Sequence, residues 1–179
     1  MTTNGILQLA LFFGVILLLL VLAGGIVYAD GARLPYNHSV LVIGVVPAPQ
    51  EKVFALITNV AHDSDWRPAV KSVTILSTNK DPDHWVEYLD HGQFMTFLAI
   101  RTDPPMRRDV QLDDPHASYG GTWTYELSPG PAPATTTLRI TETGFIKPPI
   151  YRFVMAHLMG PTRNLDQYMK DIQAAAAKP

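Results

Sequence analysis

The pattern that most restricts the fold is a long apolar line near the C-terminus. Seven residues follow one another at intervals of 4, 4, 3, 4, 3 and 4 positions: Ile150, Val154, Leu158, Pro161, Leu165, Tyr168 and Ile172. This spacing places them on one face of a helix with about 3.6 residues per turn. A helix over residues 149–177 would extend roughly 40 Å, at about 1.5 Å per residue. An apolar face of that length must be covered, and we expect a broad sheet to cover it.

Gly160 and Pro161 interrupt this line. A proline inside a helix removes one backbone donor and crowds the carbonyl four residues earlier, here that of His157. The sequence therefore predicts a kink that divides the terminal helix into two halves. We expect the second half to clamp the sheet, and the first half, with Met155 and Met159, to form the adjustable wall of a cavity.

The chain before this helix has the alternating pattern of strands. One strand at residues 38–46 precedes a helix that begins at Pro49 or Gln50, and a short turn or second helix follows at residues 62–68. Six further strands are predicted at residues 71–76, 84–89, 93–102, 106–112, 122–127 and 135–145, with a turn at residues 79–83. Strands joined by short turns form an antiparallel meander, and its apolar face needs a cover. The terminal helix is long enough to provide that cover.

The N-terminal residues 6–28 form an apolar run in which Gln8 is the one polar residue, and residues 1–29 contain no Asp, Glu, Lys or Arg. A membrane-spanning helix needs roughly 20 such residues. The alternative is a cleaved signal peptide, because Val27-Tyr28-Ala29 resembles a cleavage site. A leader without Lys or Arg, and a run longer than a signal h-region, favour an anchor.

We therefore predict an anchor at residues 1–29, a linker at 30–37 and one soluble domain at 38–179. Arg33 favours a cytoplasmic position for that domain at the cell membrane, by the positive-inside rule.

Composition narrows the classes of function. The net charge of −2 provides no basic surface for nucleic acid. The chain has no cysteine, which excludes disulfides and thiol chemistry. The six histidines are scattered, without the close spacing of a metal site. The acidic pair Asp63 and Asp65 beside His62 is interpreted as solvated loop residues. We predict neither a metal nor a cofactor.

Several short sequences carry a family resemblance along residues 38–175. They are residues 46–54, 65–68, 120–127, 140–144, 151–153 and 165–169. In this order they resemble the START-like superfamily, also called SRPBCC or helix-grip, in its polyketide cyclase/dehydrase branch. The resemblance implies an α+β fold, with a seven-stranded curved antiparallel sheet around a long C-terminal helix and a hydrophobic cavity between them. Members bind lipids, polyketides, quinones or other apolar molecules, and some are enzymes without a universal catalytic set.

Nine residues are candidates for contact with a ligand. They are Trp66, Phe97, Trp123, Tyr125, Leu138, Ile140, Glu142, Met155 and Met159. For the aromatic residues and the methionines, the alternative is ordinary core packing. Trp66 either gates the cavity mouth or plugs the end of the sheet.

Two of these residues are also candidates for chemistry. Glu142 shares a strand face with Leu138 and Ile140, so its carboxylate is expected to be partly desolvated, which suits a general acid or base. The alternative is a structural carboxylate bonded to backbone or to an arginine. The Tyr125 hydroxyl would be a polar group on the cavity wall. Arg107 and Arg108 place one charge on each face of their strand. One of the two arginines is therefore expected to meet an acidic ligand group or Glu142. The alternative is that the charge lies in solvent or on an edge strand.

The sequence therefore predicts a membrane-anchored START-like domain whose partners are the membrane and a hydrophobic small molecule, either a lipid, an isoprenoid or a polyketide-like compound. One alternative is a cyclase/dehydrase-type enzyme that uses Glu142 and Tyr125 as acid-base groups. A second is a non-catalytic membrane-tethered scaffold.

Overall fold

A computed structural model describes residues 3–79 and 81–178 of the chain. The helices are α1 (Thr3–Arg33), α2 (Gln50–Thr58), α3 (Pro149–Val154) and α4 (Arg163–Ala176). The strands are β1 (Asn37–Val46), β2 (Val70–Asn79), β3 (Asp81–Leu89), β4 (Phe94–Asp103), β5 (Arg107–Leu112), β6 (Tyr119–Pro129) and β7 (Thr136–Ile146). Short 3-10 turns occupy Val60–Asp65 and Asp90–Gly92, and a π-helical turn occupies Met155–Met159.

The chain divides into two compact units. The first contains residues up to Tyr36 together with Ile146–Met159. The second contains Asn37–Phe145 together with the residues from Gly160 onward. Lys80, inside the predicted turn of residues 79–83, lies outside the described residues, and β3 already begins at Asp81.

The second unit confirms the predicted seven-stranded antiparallel sheet. Its strand order is β1-β7-β6-β5-β4-β3-β2, so the strands from β2 to β7 form a meander and β1 pairs with the last of them. In that pairing Asn37 lies opposite Phe145 and Val46 lies opposite Thr136. The C-terminal helix α4 packs on this sheet, as the α+β helix-grip arrangement requires.

The main core of this unit lies between the sheet, α2 and α4. It includes Val46, Val53, Phe54, Ile57, Leu127, Leu138, Ile140, Leu165, Met169 and Ile172. Gly44 of β1 permits the close approach of α4, because a Cβ at this position would lie 2.6 Å from Met169 Sδ. A second apolar cluster contains Val60, Trp85, Phe97, Val110 and Leu112.

The terminal segment is not the single helix of about 40 Å that the apolar spacing predicts. The π-helical turn ends at Met159, and α4 begins at Arg163. Gly160 takes a positive φ of 85°, a backbone conformation that a helix does not contain. The predicted kink is therefore a complete break, and its two sides belong to different units.

The first unit is built on α1. Residues Leu11–Arg33 form a helical stretch of 23 residues that is long and apolar enough to cross a membrane, and the residues of its apolar window are not buried by the described part of the chain. The helix continues to Arg33, through part of the predicted linker. Arg152 of α3 donates to the Gly31 carbonyl oxygen at 2.9 Å, so α3 lies against the last turns of α1.

Candidate functional site

A cavity of about 290 Å³ lies in the second unit between the sheet and α4. Strands β3 to β7 contribute one side of its lining, and α4 contributes Leu165 and Tyr168 among others. The 3-10 turn after α2 adds Val60 and Asp63. The cavity therefore lies where the predicted fold places a ligand, between the layers of the domain.

One part of the cavity wall is aromatic. The rings of Trp85 and Phe97, which are cross-strand partners on β3 and β4, stack with their centroids 5.6 Å apart. Trp123 meets Phe97 edge-on at 5.8 Å. Val110 lies opposite Trp123 on the neighbouring strand and continues the same surface. Strand alternation directs these side chains to one face, where they offer a flat apolar surface to a ligand.

A buried ionic cluster forms a second part of the wall. Arg67 Nη1 donates to Asp63 Oδ2 at 2.6 Å and to Glu87 Oε1 at 2.8 Å. The Trp85 indole also donates to Glu87 Oε1, at 3.2 Å. Both carboxylates are almost fully buried, with Asp63 4% and Glu87 3% exposed. Two acidic groups therefore share one guanidinium, whose carbon lies 5.3 Å from the centre of the Tyr168 ring.

The Asp63 carboxyl group of this cluster has a shifted pKa. Burial raises the pKa of Asp63 to about 7, with a further contribution from the negative charge of Glu87, while Arg67 and Arg108 act in the opposite direction. Asp63 Oδ1 is buried and has no hydrogen-bond partner among the described residues. Near neutral pH, Asp63 can therefore either donate or accept a hydrogen bond at a cavity-lining position.

Two tyrosines, Tyr125 and Tyr168, lie beside this ionic cluster. Burial raises the pKa of both Tyr125 and Tyr168 above the ordinary value. Their rings lie 5.4 Å apart and both line the cavity. They remain protonated at neutral pH, so Tyr125 can offer a hydrogen bond and is unsuited to act as a base.

Glu142 lies at another position on the wall. Its Oε2 accepts a hydrogen bond from Trp123 Nε1 at 3.1 Å, and its Oε1 lies 3.0 Å from His38 Nε2. The sequence suggested backbone or arginine as structural partners of this carboxylate, whereas its partners here are an indole and an imidazole. Glu142 is thus held in a fixed orientation beside the aromatic surface, with its side chain 18% exposed.

The structure brings four of the nine predicted contact residues to the cavity: Phe97, Trp123, Tyr125 and Glu142. Leu138 and Ile140 are instead fully buried in the main core under α4. Trp66 packs edge-on against Tyr168 at 5.4 Å and lines a separate depression with Lys52 and Ala175. Met155 and Met159 belong to the first unit. Contact of any of the nine with a ligand stays a prediction.

Sequence reasoning missed the ionic cluster. The interpretation of Asp63 as a solvated loop carboxylate is wrong, because its neighbours bury it and Arg67, four residues later, pairs with it. A signal for Glu87 was available: it lies two residues after Trp85 on a strand, so both share the inward face. An acidic residue on an apolar strand face indicates a buried polar site.

The two adjacent arginines point to opposite faces, as predicted. Arg107 lies on the outer side and donates to Asp109 at 3.0 Å. Arg108 is fully buried, with its guanidinium carbon 5.5 Å from the Trp85 ring. The inward arginine therefore adds positive charge near Asp63 and Glu87.

Comparison with known proteins agrees with this architecture. The family model described as polyketide cyclase / dehydrase and lipid transport matches residues 46–160. No curated protein matches the chain in sequence.

Solved structures show the same fold at low sequence identity. A START superfamily protein from Mycobacterium smegmatis is 15% identical, with a TM-score of 0.63 over 78% of this chain and 97% of that one. The Zhui aromatase/cyclase from Streptomyces sp. R1128 is also 15% identical, with a TM-score of 0.60 over 78% and 93%. Norcoclaurine synthase from Thalictrum flavum is 13% identical, with a TM-score of 0.62 over 84% and 92%.

Proposed function

The chain belongs to the polyketide cyclase / dehydrase and lipid transport family, and on that basis we propose that it is a membrane-anchored domain that binds a small amphipathic molecule between its sheet and α4. The cavity of about 290 Å³ is near the lower end of the volumes of ligand sites, which are roughly 300–1,000 Å³. That size suits an isoprenoid, a short acyl chain or a compact polyketide-like molecule.

The observation that carries this proposal is the combination of an aromatic wall with an incompletely satisfied polar group. A buried carboxyl oxygen without a partner is costly, and a bound ligand that supplied one would recover that cost. Asp63 Oδ1 is such an atom among the described residues. A hydroxyl, carbonyl or carboxyl group on the ligand would meet it, while the apolar part of the ligand would pack on Phe97 and Trp123.

The N-terminal helix supports the membrane part of the proposal. A helix over Leu11–Arg33 would extend about 35 Å, compared with about 30 Å for the hydrocarbon core of a bilayer. The anchor would keep the domain beside the bilayer, from which it could take up an apolar ligand. Arg33 at the end of this stretch favours a domain on the cytoplasmic side.

Mass spectrometry of organic extracts from the gently purified full chain tests the binding. We expect the extracts to contain the same small amphipathic molecule in each preparation. Farnesol added in excess should displace this molecule from the protein. Ala69→Trp should strongly reduce this occupancy, because Ala69 is an exposed residue at the cavity lining. The matched control is Ala61→Trp, at an exposed alanine in the preceding 3-10 turn. Equal occupancy in both variants would place the ligand elsewhere, and empty extracts without farnesol binding would favour the scaffold alternative.

A cyclase/dehydrase-type enzyme is the second candidate function. The observation in its favour is that carboxyl groups with different environments, Asp63 and Glu142, line one cavity. Glu142→Gln should then abolish conversion of the co-purified molecule with little loss of its binding. Full conversion by Glu142→Gln, with loss in Asp63→Asn, would transfer the acid-base role to Asp63.

A further inference from the structure

Residues 149–159, which we call the juxtamembrane segment, are fixed to the C-terminal end of α1. Arg152 Nε donates to the Gly31 carbonyl oxygen at 2.9 Å, and its Nη1 donates to the carbonyl oxygens of Ile146 and Lys147 at 2.9 and 2.7 Å. His157 Nε2 lies 2.8 Å from Asp30 Oδ2. The segment therefore has a defined position relative to the last turn of α1.

The backbones of the two elements are also in close contact. A Cβ at Gly31 would lie 2.0 Å from the Pro149 carbonyl oxygen and 3.3 Å from Phe153 Cβ. A side chain at position 31 would thus force the elements apart. The segment therefore packs closely on α1 at Gly31, through Pro149 and Phe153.

Four large apolar side chains of the segment are left exposed. Leu158 is 71% exposed and Ile150 is 50% exposed, and Tyr151 and Met159 are exposed as well. Apolar side chains grouped on one short segment are costly in water, at roughly 25 cal/mol for each Å². Such a group indicates a surface that another apolar phase covers.

The position of the segment identifies that phase. If α1 crosses the bilayer, its 23-residue apolar stretch of about 35 Å slightly exceeds the hydrocarbon core, so Asp30 and Gly31 lie at the headgroup level. A segment bonded directly to these two residues lies within about one helix diameter, roughly 10 Å, of the acyl boundary.

The other residues of this unit fit the same location. Tyr28 and Tyr151 are exposed tyrosines, a residue type enriched at membrane interfaces. Arg33 provides positive charge for lipid phosphates. Apolar, aromatic and basic side chains close together in the chain are typical of an interfacial helix.

We propose that the juxtamembrane segment is such an interfacial helix, and that Ile150, Tyr151, Leu158 and Met159 insert into the headgroup–acyl boundary of the bilayer crossed by α1. The inference rests on the membrane part of the proposed function. It gives the family domain a second attachment to the bilayer, formed by its own C-terminal region.

The absence of cysteine from the sequence makes site-specific labelling direct. The full chain is reconstituted into vesicles of phosphatidylcholine and phosphatidylglycerol. An environment-sensitive fluorophore is attached to the cysteine of the Leu158→Cys variant, and the experiment is repeated with Tyr151→Cys. Val21→Cys, in the middle of α1, reports on the anchor. Ile100→Cys, an exposed apolar residue of β4, is the soluble control. Quenching is measured with lipids that carry a nitroxide at a shallow or a deep acyl position, and with aqueous iodide.

We expect the labels at 158 and 151 to be quenched most by the shallow nitroxide and protected from iodide relative to position 100. The label at 21 should be quenched most by the deep nitroxide. Iodide quenching at 158 equal to that at 100, with deep quenching retained at 21, would overturn the interfacial helix and leave the anchor intact. Loss of deep quenching at 21 would refute the anchor itself and the inference with it. Protection at 158 without nitroxide quenching would assign the surface to a second copy or another protein and overturn the proposal.

Discussion

The two halves of the terminal apolar line follow the same helical period and have opposite environments. In α4, Leu165 is 4% and Ile172 is 0% exposed, since the sheet and α2 cover them. In the juxtamembrane segment, Ile150 is 50% and Leu158 is 71% exposed. A periodic pattern tells which residues share a helix face, but the covering of that face depends on what packs there. The same pattern therefore marks a protein core in one half and, under our proposal, a lipid surface in the other.

The largest expected difference between the two halves is in the free energy of unfolding when one apolar residue of each half is truncated. Ile172→Ala should lower the free energy of unfolding by about 2–5 kcal/mol, because it leaves a cavity in a closely packed core. Leu158→Ala should change it by less than about 0.5 kcal/mol, since an exposed side chain loses few protein contacts. Denaturant unfolding of the full chain in one mild detergent measures both. Equal losses would mean that the two halves share one core.

The next effect concerns the charged surroundings of α4. The pKa of Asp63 is about 7 in the folded chain, because the carboxyl group is buried. In the unfolded chain an aspartate has its ordinary pKa of about 3.9. Between these values the folded state binds more protons, so stability falls as pH rises from about 4 to 7 and is then independent of this group. The total change is on the order of 4 kcal/mol, since each unit of difference in pKa contributes about 1.4 kcal/mol.

Asp63→Asn should remove this slope, while Ser64→Ala, at a neighbouring exposed residue, should retain it. Denaturation midpoints measured from pH 4 to 8 give the comparison. A slope that survives in Asp63→Asn would assign it to another group. Removal of the slope would assign the pH response to Asp63 in the cavity wall.

Two glycines test how closely each half is held. A Cβ at Gly44 meets the flexible end of Met169, so Gly44→Ala should cost about 1–2 kcal/mol as that side chain moves. A Cβ at Gly31 meets the backbone of Pro149, which cannot rotate away. Gly31→Ala should therefore release the juxtamembrane segment and speed the hydrogen exchange of amides 150–159, with no change in the exchange of α4. Protection retained in Gly31→Ala would show that this packing is not needed to hold the segment.

The smallest effect is expected from the pair of His157 and Asp30. Both side chains are about half exposed, and pairs of this kind contribute roughly 0.2–1 kcal/mol. A double-mutant cycle with His157→Gln and Asp30→Asn, read from exchange of the segment amides, should give a coupling in this range that weakens with added salt. A larger coupling energy would mean that this pair, and not the contacts of Arg152 and Gly31, mainly holds the juxtamembrane segment on α1.

Much of the fold follows from local signals that the structure retains. Alternation at period two predicted the strands, and the opposite faces of Arg107 and Arg108 follow from it. Gly160 and Pro161 predicted the division of the terminal helix, and residues 46–54 and 120–127 carried the family resemblance. Each of these signals depends on neighbours in the chain, so the sequence is sufficient for it.

The cavity wall could be predicted only in part. Phe97, Trp123, Tyr125 and Glu142 were expected there, whereas Leu138 and Ile140 share a strand face with Glu142 and lie in the core. One face of a strand can cross from core to cavity along its length, because the position of α4 above it decides which residues are covered. Spacing along one strand contains no information about that position.

By itself, the sequence of this protein determined the elements, their order and the faces they present, because these depend on side-chain period and on backbone chemistry within a few residues. The tertiary structure alone decided that Asp63, Arg67 and Glu87 meet, and that residues 149–159 join α1 while residues 163–176 join the sheet. Both outcomes depend on contacts between residues distant in sequence, where packing and the desolvation of charge select one arrangement from many with the same local pattern.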